Sequence, residues 1–463
     1  MRRALTLGLG AVLLASSASG QNAGSFNRTG SGARAAGMGN AFIAVADDGT
    51  AATWNPAGLA QLRKPELSFV LSSIASRVDM EGFRSPDERF SFTPRRSDDQ
   101  KQYVDFASLA IPITIGRPVT FQFGWRRLYS LDTDVGASFL REPTRLAAGE
   151  PALELYSQLR GRGSADVISL ASAVRATPRL SLGVSLDLYR GSWDFRQLTR
   201  QRAEGGAPDY LEQDQMQGIS GASLSFGAMA HAGGWRAGVV YHAALESDFR
   251  TTLTLDSTLP EPGFSTSQSI GDEARMRFPG SLGLGASWKP APPWTLAADV
   301  TYDEWKEWTV SGVPGLDEPV SFADDRPVAT TSTRNTLSLN LGAEWILQRA
   351  GFLVPFRVGF AHEPQGQRDP HLYAGHALRV LSVGVGYNTN RFKLDVALQR
   401  SWFDVPAAHA LTIETLLGLP GTSPFDARGE RHERFWRLKL SAILRIADTD
   451  KLKRVLGDLF GGS

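Results

Sequence analysis

A period of two runs through most of this chain and narrows what it can become. In RLSLGVSLDLYR, Leu180, Leu182, Val184, Leu186 and Leu188 alternate with Ser181, Gly183, Ser185, Asp187 and Tyr189. TLSLNLGAEW sets Leu337, Leu339, Leu341 and Trp345 against Ser338, Asn340, Gly342 and Glu344. RFKLDVALQR sets Phe392, Leu394, Val396 and Leu398 against Lys393, Asp395, Ala397 and Gln399. Successive side chains of a strand point to opposite faces, so each stretch has one greasy and one polar face. Such stretches recur near 66–76, 103–113, 119–130, 166–175, 179–190, 219–230, 235–246, 280–288, 294–308, 336–346, 353–363, 378–387, 391–402 and 433–446. That is about fourteen strands, an even number as single-chain bacterial barrels have.

The connections alternate in length. TIGRP, ATP, AGG, KPAPP, QRAG and NTN are short and built of turn residues, whereas 77–102, 131–165, 191–218, 247–279, 311–335, 364–377 and 404–431 are long and carry charge and proline. Short turns on one rim and long loops on the other are the habit of outer-membrane barrels, with both termini on the periplasmic side. Lipid offers backbone groups no hydrogen bonds, so a sheet that spans it must close on itself with its apolar face outward. Trp125, Tyr129, Tyr189, Trp288, Trp294, Tyr302, Trp305, Tyr387, Trp402 and Trp436 fall near strand ends, where interfacial aromatic girdles are expected. The fold class is therefore all-β: a transmembrane antiparallel β-barrel spanning 63–446, surrounded by outer-membrane lipid.

The chain starts as an exported one does. MRRALTLGLGAVLLASSASGQ has two arginines, a short apolar run and small residues at Ala18 and Gly20, so 1–20 reads as a Sec signal peptide and the mature chain begins near Gln21. No later window has the roughly 18 apolar residues of a transmembrane helix. There are no cysteines, which removes the disulfide-stapled secreted scaffolds. A formal net charge of +1 gives no pull toward nucleic acid.

A barrel of this size has a bore wider than its own side chains fill, so it is either plugged or an open pore. The stretch before the first strand, GARAAGMGNAFIAVADDGTAATWNPAGLA, is suited to plugging it. Gly37 and Gly39 allow backbone to approach backbone, while Asn55, Pro56 and Gly58 fix a turn. Residues 21–62 are accordingly read as an N-terminal hatch inside the lumen.

The same stretch resembles the hatch of the FadL-type outer-membrane transporters of long-chain fatty acids and aromatic hydrocarbons, which contains an Asn-Pro-Ala turn, present here as Asn55, Pro56 and Ala57. FPGSLGLGASWKPAPPWTLAADVTYDEWKEW, with Pro279, Trp294, Asp299, Tyr302 and Trp305, resembles that family's central hairpin, and VPFRVGFAHEP, with Arg357, resembles a later strand. The resemblance implies fourteen strands and uptake of hydrophobic small molecules such as fatty acids. It also implies capture among extracellular loops, here 191–218 and 247–279, and lateral exit at an inward kink in the third strand. Gly124, the one glycine of VTFQFGWRRLYS, is the candidate kink. Two features depart from the family. The capture loops are polar, and the chain runs past its last strand into ADTDKLKRVLGDLFGGS. There Leu452, Val455, Leu456, Leu459 and Phe460 share a helical face, a periplasmic amphipathic tail at 447–463.

Opposite the apolar stripes stand Arg126, Asp187, Arg236, His242, Asp299, Asp303, Glu344, Arg357, Lys393, Asp395, Arg437 and Lys439. A carboxylate-bearing ligand needs a desolvated cation, and Arg357, Lys393 and Arg437, on neighbouring late strands, are the candidate ligand contacts. The seven histidines have no metal-binding spacing, and neither a GxSxG elbow nor a phosphate loop is present, so no enzyme, metal or cofactor is expected. The expected protein is a monomer. The other reading compatible with these residues is a barrel of similar hatch that serves protein secretion as a shuttle or scaffold.

Overall fold

The computed structural model describes residues 30–446, apart from 85–87, 95–96, 131–132, 150–151, 204–208, 258–263, 271–273, 313–317, 322–326, 332, 365, 367–376 and 411–425. The expected signal peptide and C-terminal tail lie outside the described residues. Fourteen wall strands close into one antiparallel barrel. They are β1 (Glu66–Arg84), β2 (Phe90–Pro94 and Ser97–Ile115), β3 (Arg117–Ser130 and Thr133–Pro143), β4 (Leu153–Thr177) and β5 (Leu180–Ala203). Next come β6 (Asp209–Ala232), β7 (Trp235–His242 and Leu245–Ser257), β8 (Phe264–Ile270, Arg275–Phe278 and Ser281–Trp288) and β9 (Trp294–Asp303 and Thr309–Ser311). The wall ends with β10 (Thr336–Arg349), β11 (Phe352–Pro364), β12 (Ala377–Asn388), β13 (Phe392–Ala410) and β14 (Asp426–Arg445). Each strand pairs with its sequence neighbours, and β1 closes the ring against β14, from Glu66 opposite Arg445 to Arg84 opposite Arg428.

Burial is inverted relative to a water-soluble protein. Leu182, Val184, Leu186 and Leu188 of β5 are exposed on the outside, whereas Ser181, Ser185 and Asp187 are buried inside. The same holds for Leu337, Leu339 and Leu341 against Ser338, Asn340 and Glu344 on β10. Near the short turns Trp235 stacks on Trp288 at 5.1 Å, beside the outward Trp294, as an interfacial girdle requires. Tyr189 and Trp305 are not part of such a girdle: both are buried.

The wall reaches further than the alternation indicates. β4, β5 and β6 have 25, 24 and 24 residues, where a bilayer crossing takes about 9–11. The stretches 191–218 and 247–279, expected as capture loops, are largely paired strand. Beyond the lipid both faces of a strand meet water, so nothing selects greasy from polar. The ladder there is held by backbone bonds and cross-strand pairs such as Arg196 with Asp214, at 2.6 and 3.0 Å.

Three adjacent strands are interrupted at one level: β7 at Ala243 and Ala244, β8 at Pro279 and Gly280, and β9 between Glu304 and Trp308. The inward parity changes there, from Gly238 and Val240 to Leu245 and Ser247 on β7, and from Ser281 and Gly283 to Phe278 and Met276 on β8.

Residues 30–62 contribute no wall strand. They form a short helix, α1 (Ala33–Gly37), and two 3₁₀ turns at Ala51–Thr53 and Pro56–Gln61. Glycine and alanine are too frequent, and stretches between breakers too short, for more. The segment is almost wholly buried: Met38, Phe42, Trp54 and Leu59 cluster with inward Ala110, Ala171, Met229 and Ala297 of the wall. Close approach decides several wall residues. Gly39 has φ +63°, the left-handed region glycine favours, and its Cα lies beside the Gly359 position. A Cβ on Gly359 would overlap the Gly39 backbone nitrogen. Gly359→Val is expected to cost about 1–3 kcal/mol by overpacking. A urea titration of the detergent-embedded protein should show an earlier midpoint; an unchanged midpoint would mean that the segment does not rest there.

Candidate functional site

The inner face of the wall offers hydrogen bonds to the segment from all sides. Asp299 Oδ2 on β9 accepts the N–H groups of Phe42 (2.5 Å) and Ile43 (2.8 Å). Asn340 on β10 donates to the Gly39 carbonyl at 2.8 Å, and Gln399 on β13 to that of Ala36 at 3.1 Å. Ser441 Oγ on β14 accepts Ala33 N–H at 2.6 Å. Across the bore the Gly49 carbonyl accepts from Ser108 on β2 (2.9 Å) and Gln122 on β3 (2.6 Å), and its N–H donates to Glu66 on β1 at 2.9 Å. An irregular backbone buried without these partners would leave donors and acceptors unsatisfied, at about 1–3 kcal/mol each.

Asn55 does two jobs. Its side-chain oxygen accepts Ala57 N–H at 3.0 Å, capping the 3₁₀ turn that Pro56 opens, and its amide donates to the carbonyls of Ile43 (3.2 Å) and Ala228 (3.2 Å). It fits because the wall is glycine where it sits. A Cβ on Gly183 would overlap Ala57 N, and one on Gly227 the Asn55 side-chain oxygen. Gly342, Gly359 and Gly285 serve Met38, Gly39 and Ile43 likewise. The signal for these positions was in the sequence, as glycines at inward parity within strands, but which backbone they admit was not.

Charge is concentrated beneath the segment. Arg34 of α1 forms a two-pronged pair with Glu344 (3.0 and 2.9 Å) and also binds Asp47. Glu344 in turn receives Arg357 at 2.7 Å, and Arg357 reaches Asp395 at 2.7 Å. Burial alone would push the Asp47 carboxyl up, yet Arg34, Lys393 and Arg236 hold it well below the usual carboxylate range. Burial opposes the Arg34 charge too, but Asp47 and Glu344 raise its pKa well above its ordinary value.

Of the candidate ligand contacts, Arg357 has a fully buried side chain engaged by two carboxylates, and Lys393 lies close by. Arg437 is apart from them, near Tyr103. Gly124 faces inward against Ser108, and the ladder passes it without a shift on either side; the first irregularity comes at Arg127 and Tyr129. The third strand therefore has no register break at Gly124.

Two cavities flank the segment. On the long-strand side lies one of about 60 Å³, bounded below by Asn40, Ile43 and Trp54 and walled by Val240, His242, Asp299, Asp303 and Glu363. No lysine or arginine lines it among the described residues. It abuts the interruption in β7–β9, since His242, Ser281 and Asp303 are the last paired residues before the break. On the short-turn side lies a cavity of about 460 Å³, walled by Arg34, Arg63, Arg175, Arg236, Lys393 and Arg445 with Asp47 and Glu344. Among the described residues no group of acidic, histidine or cysteine side chains is arranged to hold a metal ion.

Residues 11–416 match the family described as outer membrane protein transport protein (OMPP1/FadL/TodX). The chain belongs to that family. Members are outer-membrane channels for hydrophobic compounds and not enzymes. No curated protein matches the chain in sequence. In fold it is similar to a FadL homologue of Pseudomonas aeruginosa, with a TM-score of 0.60 at 14% identity over 90% of this chain and 98% of that one. It is similar also to the Pseudomonas putida toluene transporter TodX, with 0.59 at 12% over 91% and 100%. The Ralstonia pickettii toluene transporter TbuX gives 0.55 at 15%, over 91% and 100%.

Because the folded Asp47 carboxyl titrates below the unfolded one, its stabilising contribution is present above about pH 4 and is lost as the pH falls below that. Asp47→Asn is expected to lower stability at neutral pH and to flatten the acid decline, as read from urea midpoints across a pH series. Parallel curves for the two proteins would show that Asp47 is not the group responsible.

Proposed function

We propose that this protein is a plugged, monomeric outer-membrane channel for uncharged hydrophobic small molecules, with residues 21–62 as its hatch. The observation that carries this reading is the segment seated across the bore with a cavity on its long-strand face. The hatch depends on Gly37, Gly39, Asn55, Pro56 and Ala57 for its close packing and its turn. The seat adds many single hydrogen bonds, each worth about 0.5–1.5 kcal/mol net, to the apolar cluster around Met38, Phe42, Trp54 and Leu59, so it holds at rest and can be released contact by contact. A closed wall leaves no strand edge for another copy to join, which favours a monomer. Export through a signal at 1–20 and a tail at 447–463 complete the reading.

As to substrate, Asp303 and Glu363 beside the upper cavity, with no lysine or arginine among its described lining, favour an uncharged molecule over a fatty-acid carboxylate, since like charges in a confined space repel. The similar TodX and TbuX are toluene transporters, which supports an aromatic hydrocarbon. For lateral passage we favour the interruption in β7–β9 over Gly124, because it adjoins that cavity.

Two measurements test this. Deleting residues 21–60 should turn a silent barrel into a conducting one in planar bilayers, and unchanged conductance would contradict a hatch. Proteoliposomes should take up toluene faster than protein-free ones, while oleate should bind at least ten-fold more weakly than toluene. A fatty acid found tightly bound by native mass spectrometry would reverse the choice of substrate.

A further inference from the structure

A row of arginines borders the lipid-facing stripe on one flank of the wall. Leu67 of β1 faces Leu444 of β14 near the short turns, and ten residues further up Arg77 faces Arg434. Ten residues at about 3.3 Å, on a strand tilted by about 40°, rise roughly 25 Å, which is the height of the apolar band of such a barrel. The short turns share a rim with the chain's entry into β1 and its exit from β14, the periplasmic rim, so the row stands at the outer leaflet. The ladder carries it on around the wall: Arg434 faces Trp402 of β13, and Trp402 faces Arg379 of β12. Arg400 stands two residues lower on β13, opposite Trp436, with its guanidinium 4.5 Å from the ring centre. These residues share the face of Leu71, Leu381, Leu398 and Leu438, all exposed on the lipid side.

Arginines opposed across a ladder repel each other, and elsewhere on the outer face the wall supplies an acid: Arg127 of β3 meets Asp166 of β4 at 3.2 Å. On the β12–β1 flank the supply is incomplete. Asp98 faces Arg77 in the ladder, and Asp79 lies 3.8 Å from Arg434. Among the described residues no carboxylate pairs with Arg379 or Arg400. One row higher the register sets Asp79, His432 and Asp404 in line, so the arginines form a band between these residues and the lipid. A groove of about 340 Å³ runs between Arg77, Arg400, Arg434 and Trp436. What adjoins the wall at this height is a lipid head group, and a head-group phosphate presents the oxygens that a planar guanidinium fork grips with two bonds. We propose that this groove binds the phosphate of an outer-leaflet glycolipid, held by Arg400 and Arg434 with Arg379 beside them, while its acyl chains lie on Leu398 and Leu438 below. The Trp436 ring holds the Arg400 guanidinium in position for it. The site is on the outside of the barrel and does not depend on what the channel transports.

The test uses the full-length protein, freed of lipid in nonionic detergent and titrated with diphosphorylated lipid A, with bound lipid read by native mass spectrometry. Retention of at least one lipid A is expected, weakened ten-fold or more in the triple variant Arg379→Gln, Arg400→Gln, Arg434→Gln and unchanged in Arg127→Gln. No retention by the wild type, or equal affinity in the triple variant, overturns the proposal. Lipid A stripped of its phosphates should bind at least ten-fold more weakly; equal binding would show that the acyl chains alone hold it and overturns the proposal as well. Inorganic phosphate, titrated calorimetrically, should not bind at concentrations that saturate the protein with lipid A. Saturable binding there would mark a site for the free ion and overturn the lipid assignment. Should the triple variant fail to form the heat-modifiable barrel, Arg400→Gln alone is expected to weaken lipid A binding at least three-fold, and unaltered affinity there counts against the site.

Discussion

Everything in this molecule follows from the need to pair backbone groups where no water is available. The pairing of β1 with β14, from Glu66 opposite Arg445 along nearly the whole of both strands, removes the last free edge of the sheet. Once the sheet is closed, the apolar stripe has only lipid to face and the polar stripe has only the bore. The buried serines, asparagines and charges of β5 and β10 are thus not an anomaly to be compensated. They are the inner surface that closure creates.

That inner surface is also why a segment so poor in regular structure can be buried. Between α1 and the Asn55 turn the chain closes tight turns on itself, with Ala46 N–H on the Phe42 carbonyl and Asn55 N–H on that of Ala51, and Asp299, Asn340, Gln399, Ser108 and Gln122 pair with further groups of the segment. Wall glycines let the two backbones meet, and alanines keep the segment thin. The seat combines the apolar cluster around Met38, Phe42, Trp54 and Leu59 with these polar contacts and with the ion pairs of Arg34 with Glu344 and Arg236 with Asp47. Water entering the bore competes for the polar contacts, whereas an apolar interface would exclude it.

Much of this was legible beforehand and for a definite reason. The Leu180–Leu188 and Phe392–Leu398 stripes mark their strands because lipid outside and a wet bore inside impose opposite demands on neighbouring residues. Where that contrast ends, so does the signal: 191–203 is strand with charged and polar residues on either side, and it reads as loop. Tyr189 and Trp305 were misassigned because an aromatic near a strand end serves a girdle or a buried cluster equally well. Trp305 joins Trp308 at 5.5 Å beside the break in β9. The inward charges were identifiable by parity, but their partners depend on neighbours across the barrel. Arg357 and Lys393 look alike in sequence, and only the fold separates the doubly paired one from the other.

The unequal height of the wall has a consequence for how the cell surface sees this protein. β4 to β6 have 24 or 25 residues, whereas β10 to β12 have 14, 13 and 12. At about 3.3 Å per residue the difference amounts to roughly 35–40 Å along the strand, so the wall dips on the flank of β10 to β12. A visitor diffusing in from outside meets a slanted mouth whose low side is β10 to β12. The tall side, a charged and water-wetted sheet, is the part an antibody or a phage would touch first.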